Sequence, residues 1–165
     1  MRYISSRNKK KSISSSEAII KGISEDGGLF VPEEIPKISD VKSLISLDYK
    51  RLAYEIMSKF FTDFDEDYLK DSIDRAYDEK FTKESITPLV KRDSLYYLEL
   101  FHGPTGAFKD IALQALPLLL SESIKKLNIK NKLLILVATS GDTGKAALEG
   151  FKNIPGIEII VYYPF

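Results

Sequence analysis

Lys132-Leu133-Leu134-Ile135-Leu136-Val137-Ala138-Thr139 is a short, continuous apolar run closed by Ser140-Gly141-Asp142-Thr143-Gly144-Lys145. A run of this kind, rich in branched side chains and without polar alternation, marks a strand covered on both faces, as in a parallel sheet. Thr143 to Phe151 reads next as a helix, and Ile157 to Tyr163 as a second strand of the same buried type. Upstream, Pro88–Lys91 and Leu95–Phe101 read as strands and Phe108–Leu127 as a helix. Strand, helix, strand, helix, strand is the rhythm of βαβ units, so the class is α/β.

The rhythm begins only after residue 85. Before it, Tyr3-Ile4-Ser5 is a weak strand, and Asn8–Lys11 a basic loop. Ser14-Ser15-Ser16 followed by Glu17 is a helix start, because a serine oxygen accepts from free amides and a carboxylate suits the positive helix end. Gly27-Gly28 is a turn, followed by the short strand Leu29-Phe30-Val31. Leu52, Ile56 and Phe60 repeat at helical spacing, with Ser46 as the expected cap. Phe64–Phe81 forms a second amphipathic helix, with Tyr68, Leu69, Ile73, Ala76 and Tyr77 on one side. Its other side carries Asp65, Glu66, Asp67, Asp71, Asp74 and Asp78, a solvated acidic face. The expected organisation is therefore a small, mainly helical domain over residues 1–84 and the first units of an α/β sheet over residues 85–165. A parallel sheet normally has both faces covered and about 5–6 strands. Ile159-Ile160-Val161-Tyr162-Tyr163-Pro164-Phe165 has no helix after it, so the expectation is a larger protein, or a partner chain that completes the sheet.

Composition narrows the function. Among 165 residues, 24 Lys and Arg balance 24 Asp and Glu, which argues against a nucleic-acid binder with a basic face. The absence of cysteine excludes a thiol nucleophile and a Cys-ligated metal, and a single histidine excludes a multi-His metal site. Ile111–Leu120, broken by Gln114, is the longest nearly apolar run and falls short of the roughly 20 residues a membrane span needs. No apolar core follows the basic start, so the expected location is the cytoplasm.

Two segments can carry chemistry. In Phe101-His102-Gly103-Pro104-Thr105-Gly106-Ala107-Phe108-Lys109-Asp110 a strand ends, a turn follows, and a helix begins with Lys109 in its first turn. Lys109 heads the line Leu113, Leu116, Leu120, an apolar stripe. Burial and the positive helix end both push a lysine toward its neutral amine, the form that attacks a carbonyl. The alternative is a surface lysine whose stem covers apolar neighbours. The second segment, Ala138–Lys145, joins strand to helix. Its glycines let a ligand approach the backbone, and free amides with the hydroxyls of Ser140 and Thr143 make a cradle for a carboxylate or phosphate. A plain capped turn uses the same residue types. A nucleotide P-loop fails, because Thr139 stands where glycine is needed and Ala146 where Ser or Thr is needed.

The runs Glu99–Asp110 and Ala138–Ala147 together resemble the lysine motif and the substrate-side loop of the threonine synthases, pyridoxal-phosphate (PLP) enzymes of fold type II. Tyr3–Asn8, Glu17–Gly22 and Asp26–Glu33 resemble that family's separate N-terminal domain, so the likeness runs along the whole chain. It implies that Lys109 carries PLP, with Phe108 beside it, and later shuttles protons. It implies that Ser140, Gly141, Asp142 and Thr143 hold the substrate carboxylate or the cofactor edge. The implied substrate is O-phospho-L-homoserine, converted with water to L-threonine and phosphate. Family members are longer, and their loop for the cofactor phosphate and the residue at the pyridine nitrogen come later in the chain. The resemblance thus implies weak cofactor binding and no measurable turnover by these residues alone. The competing reading is a non-catalytic interaction module, or one half of a split enzyme. Roles for His102, Arg7 and Asn8 near the site stay open.

Overall fold

Ser14 opens the first helix as the sequence expects. Its hydroxyl accepts from the Glu17 amide at 3.2 Å, and the Glu17 carboxylate accepts from the Ser14 amide at 2.7 Å. This reciprocal cap starts α1 (Ser15–Lys21). The structure is a computed structural model that describes residues 1–164; Phe165, the end of the closing run, lies outside the described residues. They fall into two compact units, Met1–Ile73 with Glu122–Lys130, and Asp74–Ser121 with Asn131–Phe165.

In the first unit β1 (Tyr3–Ser5) lies between β2 (Ser12–Ile13) and β3 (Phe30–Pro32) in a three-stranded antiparallel sheet. Ile4 and Ile13 are buried. Asp63 holds α1 from below: its carboxylate accepts from the Ser15 hydroxyl, the Ser16 hydroxyl at 2.6 Å and the Ser16 amide at 3.2 Å. α2 (Val41–Leu44) is capped by Asp40. α3 (Tyr49–Phe60) is capped by Asp48, whose carboxylate accepts from the Arg51 amide at 2.8 Å. Ser46, the expected cap, instead donates to the Ser43 carbonyl. A carboxylate one residue before the helix is the better acceptor for the free amides, and it is charged.

α4 (Glu66–Ala76) is shorter than the expected Phe64–Phe81. The Asp65 carboxylate takes the amides of Asp67 and Tyr68 and so starts the helix after Phe64. Leu69, Ile73 and Ala76 are buried, while Asp65, Glu66, Asp67, Asp71 and Asp74 face solvent. No group of acidic residues forms a metal site among the described residues.

The second unit departs from the expected continuous alternation. β4 (Leu89–Arg92) and β5 (Leu95–Leu98) pair antiparallel and form a sheet of their own. Only two residues join them, and Asp93 takes the left-handed conformation at φ 52°. Such a short connection makes antiparallel neighbours, whereas parallel strands need a crossover of about a dozen residues. The expected Phe108–Leu127 helix is also two pieces, α5 (Asp110–Leu113) and α6 (Leu116–Lys126). Pro117 has no amide to donate to the Leu113 carbonyl, so the helix breaks between them. The stripe from Lys109 is interrupted with it, and Leu116 is exposed.

β6 (Leu133–Ala138), α7 (Asp142–Phe151) and β7 (Ile157–Tyr162) are the expected βαβ unit, with β6 and β7 parallel from Leu133↔Ile157 to Ala138↔Tyr162. One face of the pair is open, in line with the expectation that further polypeptide completes the sheet: Leu136 is 61% exposed and Ile160 43%, with Leu134 and Tyr162 beside them. α7 packs against β7 on one side. The apolar composition is that of a doubly covered sheet, and these residues supply only one cover.

Candidate functional site

Both candidate segments lie in the second unit, at the starts of α5 and α7. Lys109 sits immediately before α5, and Asp110 is its first residue. Two successive turns shape the approach: Gly106 N–H donates to Gly103 O at 3.1 Å, and Asp110 N–H to Ala107 O at 3.0 Å. Gly106 is at φ 74°, a conformation that favours glycine. Phe108 is exposed, and the Lys109 ammonium lies 4.2 Å from its ring centre, a cation–π contact. Lys109 is half-buried, and its side chain forms no hydrogen bond or ion pair among the described residues.

The second loop differs from a capped turn. α7 begins after Gly141 with no side-chain cap, and the hydroxyls of Ser140 and Thr143 and the carboxylate of Asp142 have no hydrogen-bond partner among the described residues. Thr139 Oγ1 takes the Gly141 amide at 3.3 Å, which leaves the first amides of the helix free. The two glycines separate in role. A Cβ on Gly141 would meet nothing within 4 Å, so this is the open position. A Cβ on Gly144 would lie 2.3 Å from Thr139 Cγ2 and 2.7 Å from Val161 Cγ1, so Gly144 serves packing and not ligand approach.

A lysine joins the two loops. Lys145 Nζ, in the first turn of α7, donates to Thr105 O at 3.5 Å. Three residues here were not singled out from sequence: Asp110, Thr105 and Lys145. Asp110 is fully buried and accepts from the Thr105 amide at 2.9 Å and the Thr105 hydroxyl at 2.7 Å. The available signal was a carboxylate directly after the candidate lysine, next to a turn rich in small residues.

His102 is held elsewhere. Its Nε2 lies 2.7 Å from Glu99 Oε2 and its Nδ1 3.1 Å from Thr82 Oγ1, so both ring nitrogens are engaged in tying the hairpin's exit to residue 82. Arg7 donates to the Asp26 carbonyl, and Asn8 accepts from the Lys10 amide; both serve local turns.

The architecture is that of an α/β protein whose candidate site lies on two loops that each open a helix. A family model described as "Threonine synthase N terminus" matches residues 2–77. Threonine synthase of Pseudomonas aeruginosa is 37% identical over 99% of this chain, which spans only 35% of that relative. PLP-bound threonine synthase from Brucella melitensis superposes with a TM-score of 0.91 at 31% identity, over 99% of this chain and 36% of that one. The yeast threonine synthase structure gives 0.90 at 38%, over 99% and 35%. Along nearly its whole length the chain is thus similar to the N-terminal third of these threonine synthases.

Proposed function

We propose that this chain forms the N-terminal part of a PLP-dependent threonine synthase that converts O-phospho-L-homoserine and water to L-threonine and phosphate in the cytoplasm. The observation that carries the reading is a Lys109 side chain free of hydrogen bonds and ion pairs beside an uncapped, open helix start, on loops that Lys145 links through the Thr105 carbonyl. The residues fit the group: Lys109 has no competing acid to neutralise it, Phe108 offers a ring face, and free amides await an anion.

PLP, when bound, supplies the electron sink for carbanions next to the amino group. The chain's residues then divide the work. Lys109 would hold the cofactor's aldehyde and, when free, would accept and return protons at Nζ. The Ser140 and Thr143 hydroxyls and the amides at the start of α7 bind the substrate carboxylate, with Gly141 leaving room for it. Asp142 lines the same loop. On this reading residues 1–84 are the N-terminal domain and residues 85–165 the first part of the catalytic domain.

The exposed face formed by Leu134, Leu136, Ile160 and Tyr162 favours a further element. More polypeptide, in the same chain or in a separate half, completes the sheet and brings the cofactor's phosphate anchor. The 165 residues alone are therefore expected to trap PLP weakly and to release no measurable phosphate. The test is PLP addition, borohydride reduction and peptide mass spectrometry, with Lys109→Ala as control, followed by a phosphate-release assay. Trapping that ignores residue 109 overturns the reading.

A further inference from the structure

Lys109 Nζ forms no hydrogen bond or ion pair among the described residues and touches only the ring of its neighbour Phe108, so the backbone between Gly103 and Asp110 sets where the pair lies. That backbone is two short turns in series, Gly103–Gly106 and Ala107–Asp110, and no backbone hydrogen bond spans both. One side chain does. The Asp110 carboxylate reaches back to the Thr105 amide through Oδ2 and the Thr105 hydroxyl through Oδ1, at 2.9 and 2.7 Å. It closes a ring that contains Lys109.

The grip has been given room. A Cβ on Gly103 would lie 2.5 Å from Asp110 Cβ and 2.6 Å from Oδ2, so glycine there lets the carboxylate sit beneath the turn. Asp110 is wholly excluded from solvent and forms no ion pair among the described residues; Thr105 supplies both of its hydrogen bonds. Thr105 is also the residue that the second loop touches, through Lys145 Nζ at its carbonyl. A surface turn needs none of this: an aspartate that merely favoured the helix start would stand in solvent.

We propose that Asp110 is a positioning residue, which by gripping Thr105 fixes Lys109 relative to the Ser140–Lys145 loop. The proposal rests on the reading of Lys109 as the cofactor lysine, and its experiment separates the two. Thr105→Val removes the hydroxyl bond and keeps the amide bond; Thr105→Ser restores the hydroxyl. Asp110→Ala removes the grip altogether, and the threonine variants keep the test intact should Asp110→Ala fail to fold.

Two readouts are taken on the chain. The first is cofactor-free: lysines are reductively methylated with 13C-formaldehyde, and the Lys109 resonance is followed through a pH titration. The second is the yield of borohydride-trapped PLP on residue 109, relative to the other lysines. Thr105→Val is expected to move the Lys109 resonance and to cut its trapping about tenfold, the equivalent of one hydrogen bond. Thr105→Ser is expected to return both to near the parent's values. A general loss of stability would lower the melting temperature without moving the Lys109 signal selectively. An unmoved Lys109 resonance in Thr105→Val, or failure of Thr105→Ser to restore it, overturns the proposal. If the parent chain traps no PLP on Lys109, the cofactor reading fails, and the methylated resonance still decides the positioning role.

Discussion

Gly150→Ala tests the packing that sets the two loops against each other. Gly150 lies in α7, and a Cβ built there would come within 1.9 Å of the Leu113 carbonyl oxygen and 2.9 Å of its carbon. That carbonyl has lost its helical donor to Pro117, which is why it is free to lie against a neighbouring helix. An ordinary C···O contact is about 3.3 Å, so α5 and α7 must part by roughly 1.4 Å. The obstacle is backbone and cannot rotate away. Overpacking of this kind costs about 1–3 kcal/mol, and a backbone clash belongs at the upper end. Alanine's helix preference returns about 1 kcal/mol. The net loss is about 2 kcal/mol, a fall of roughly 4–8 °C in melting temperature for a chain of this size. Thermal melting followed by circular dichroism reads it, with Leu148→Ala, a partly exposed site on the same helix, as the control. An alanine variant that melts at or above the parent would refute the close approach of the helices.

Other expectations follow from the same contacts. Asp63→Ala strips the partner from two buried hydroxyls, Ser15 and Ser16, and is expected to cost about 2–4 kcal/mol in a urea titration. Burial alone would raise the Asp63 carboxyl, but bonds from Ser15 and Ser16 and the Lys126 charge hold it below the ordinary carboxylate range. Glu17 is lowered as well, chiefly by the Ser14 amide. Both contributions are complete above the ordinary carboxylate range and are lost as pH falls through the lowered folded values, so Asp63→Ala flattens the acid limb of the stability profile. His102→Ala is expected to lower stability by about 1–2 kcal/mol, since Glu99 and Thr82 lose their partner, while PLP trapping on Lys109 is unchanged. Leu136→Thr with Ile160→Thr changes an exposed face and is expected to reduce self-association in light scattering, with stability held within about 0.5 kcal/mol per site.

Legibility in the sequence followed the range of each interaction. The Ser14–Glu17 cap was readable because donor and acceptor are three residues apart. The β6–α7–β7 unit was readable because apolar runs and their spacing carry it. Hairpin pairing of β4 with β5 was missed, although the two-residue link already dictated it. The break at Pro117 was missed because the leucines on either side keep helical spacing while the proline removes one donor. Asp110 was passed over, since its grip on Thr105 depends on the absence of a Cβ at Gly103, and no pattern of residue types states that geometry. The open face of β6 and β7 is legible only by combining two signals: the apolar runs state the cover the strands are built for, and no helix pattern after β7 supplies it.

The glycines of the second loop carry the argument from fold to site. Gly144 brings the first turn of α7 onto the ends of both strands, against Thr139 and Val161, at a distance no side chain allows. Thr139, at the carboxyl end of β6, then has its hydroxyl at the Gly141 amide. With the helix drawn down at Gly144 and Thr139 bound to the Gly141 amide, α7 starts without a side-chain cap, and Gly141 leaves open space beside it. Ligands of open α/β sheets bind at the carboxyl ends of strands for this geometric reason: the strand ends, the helix starts, and its free donors face the same side. The packing glycine is therefore what sets the open position at Gly141 beside an uncapped helix start.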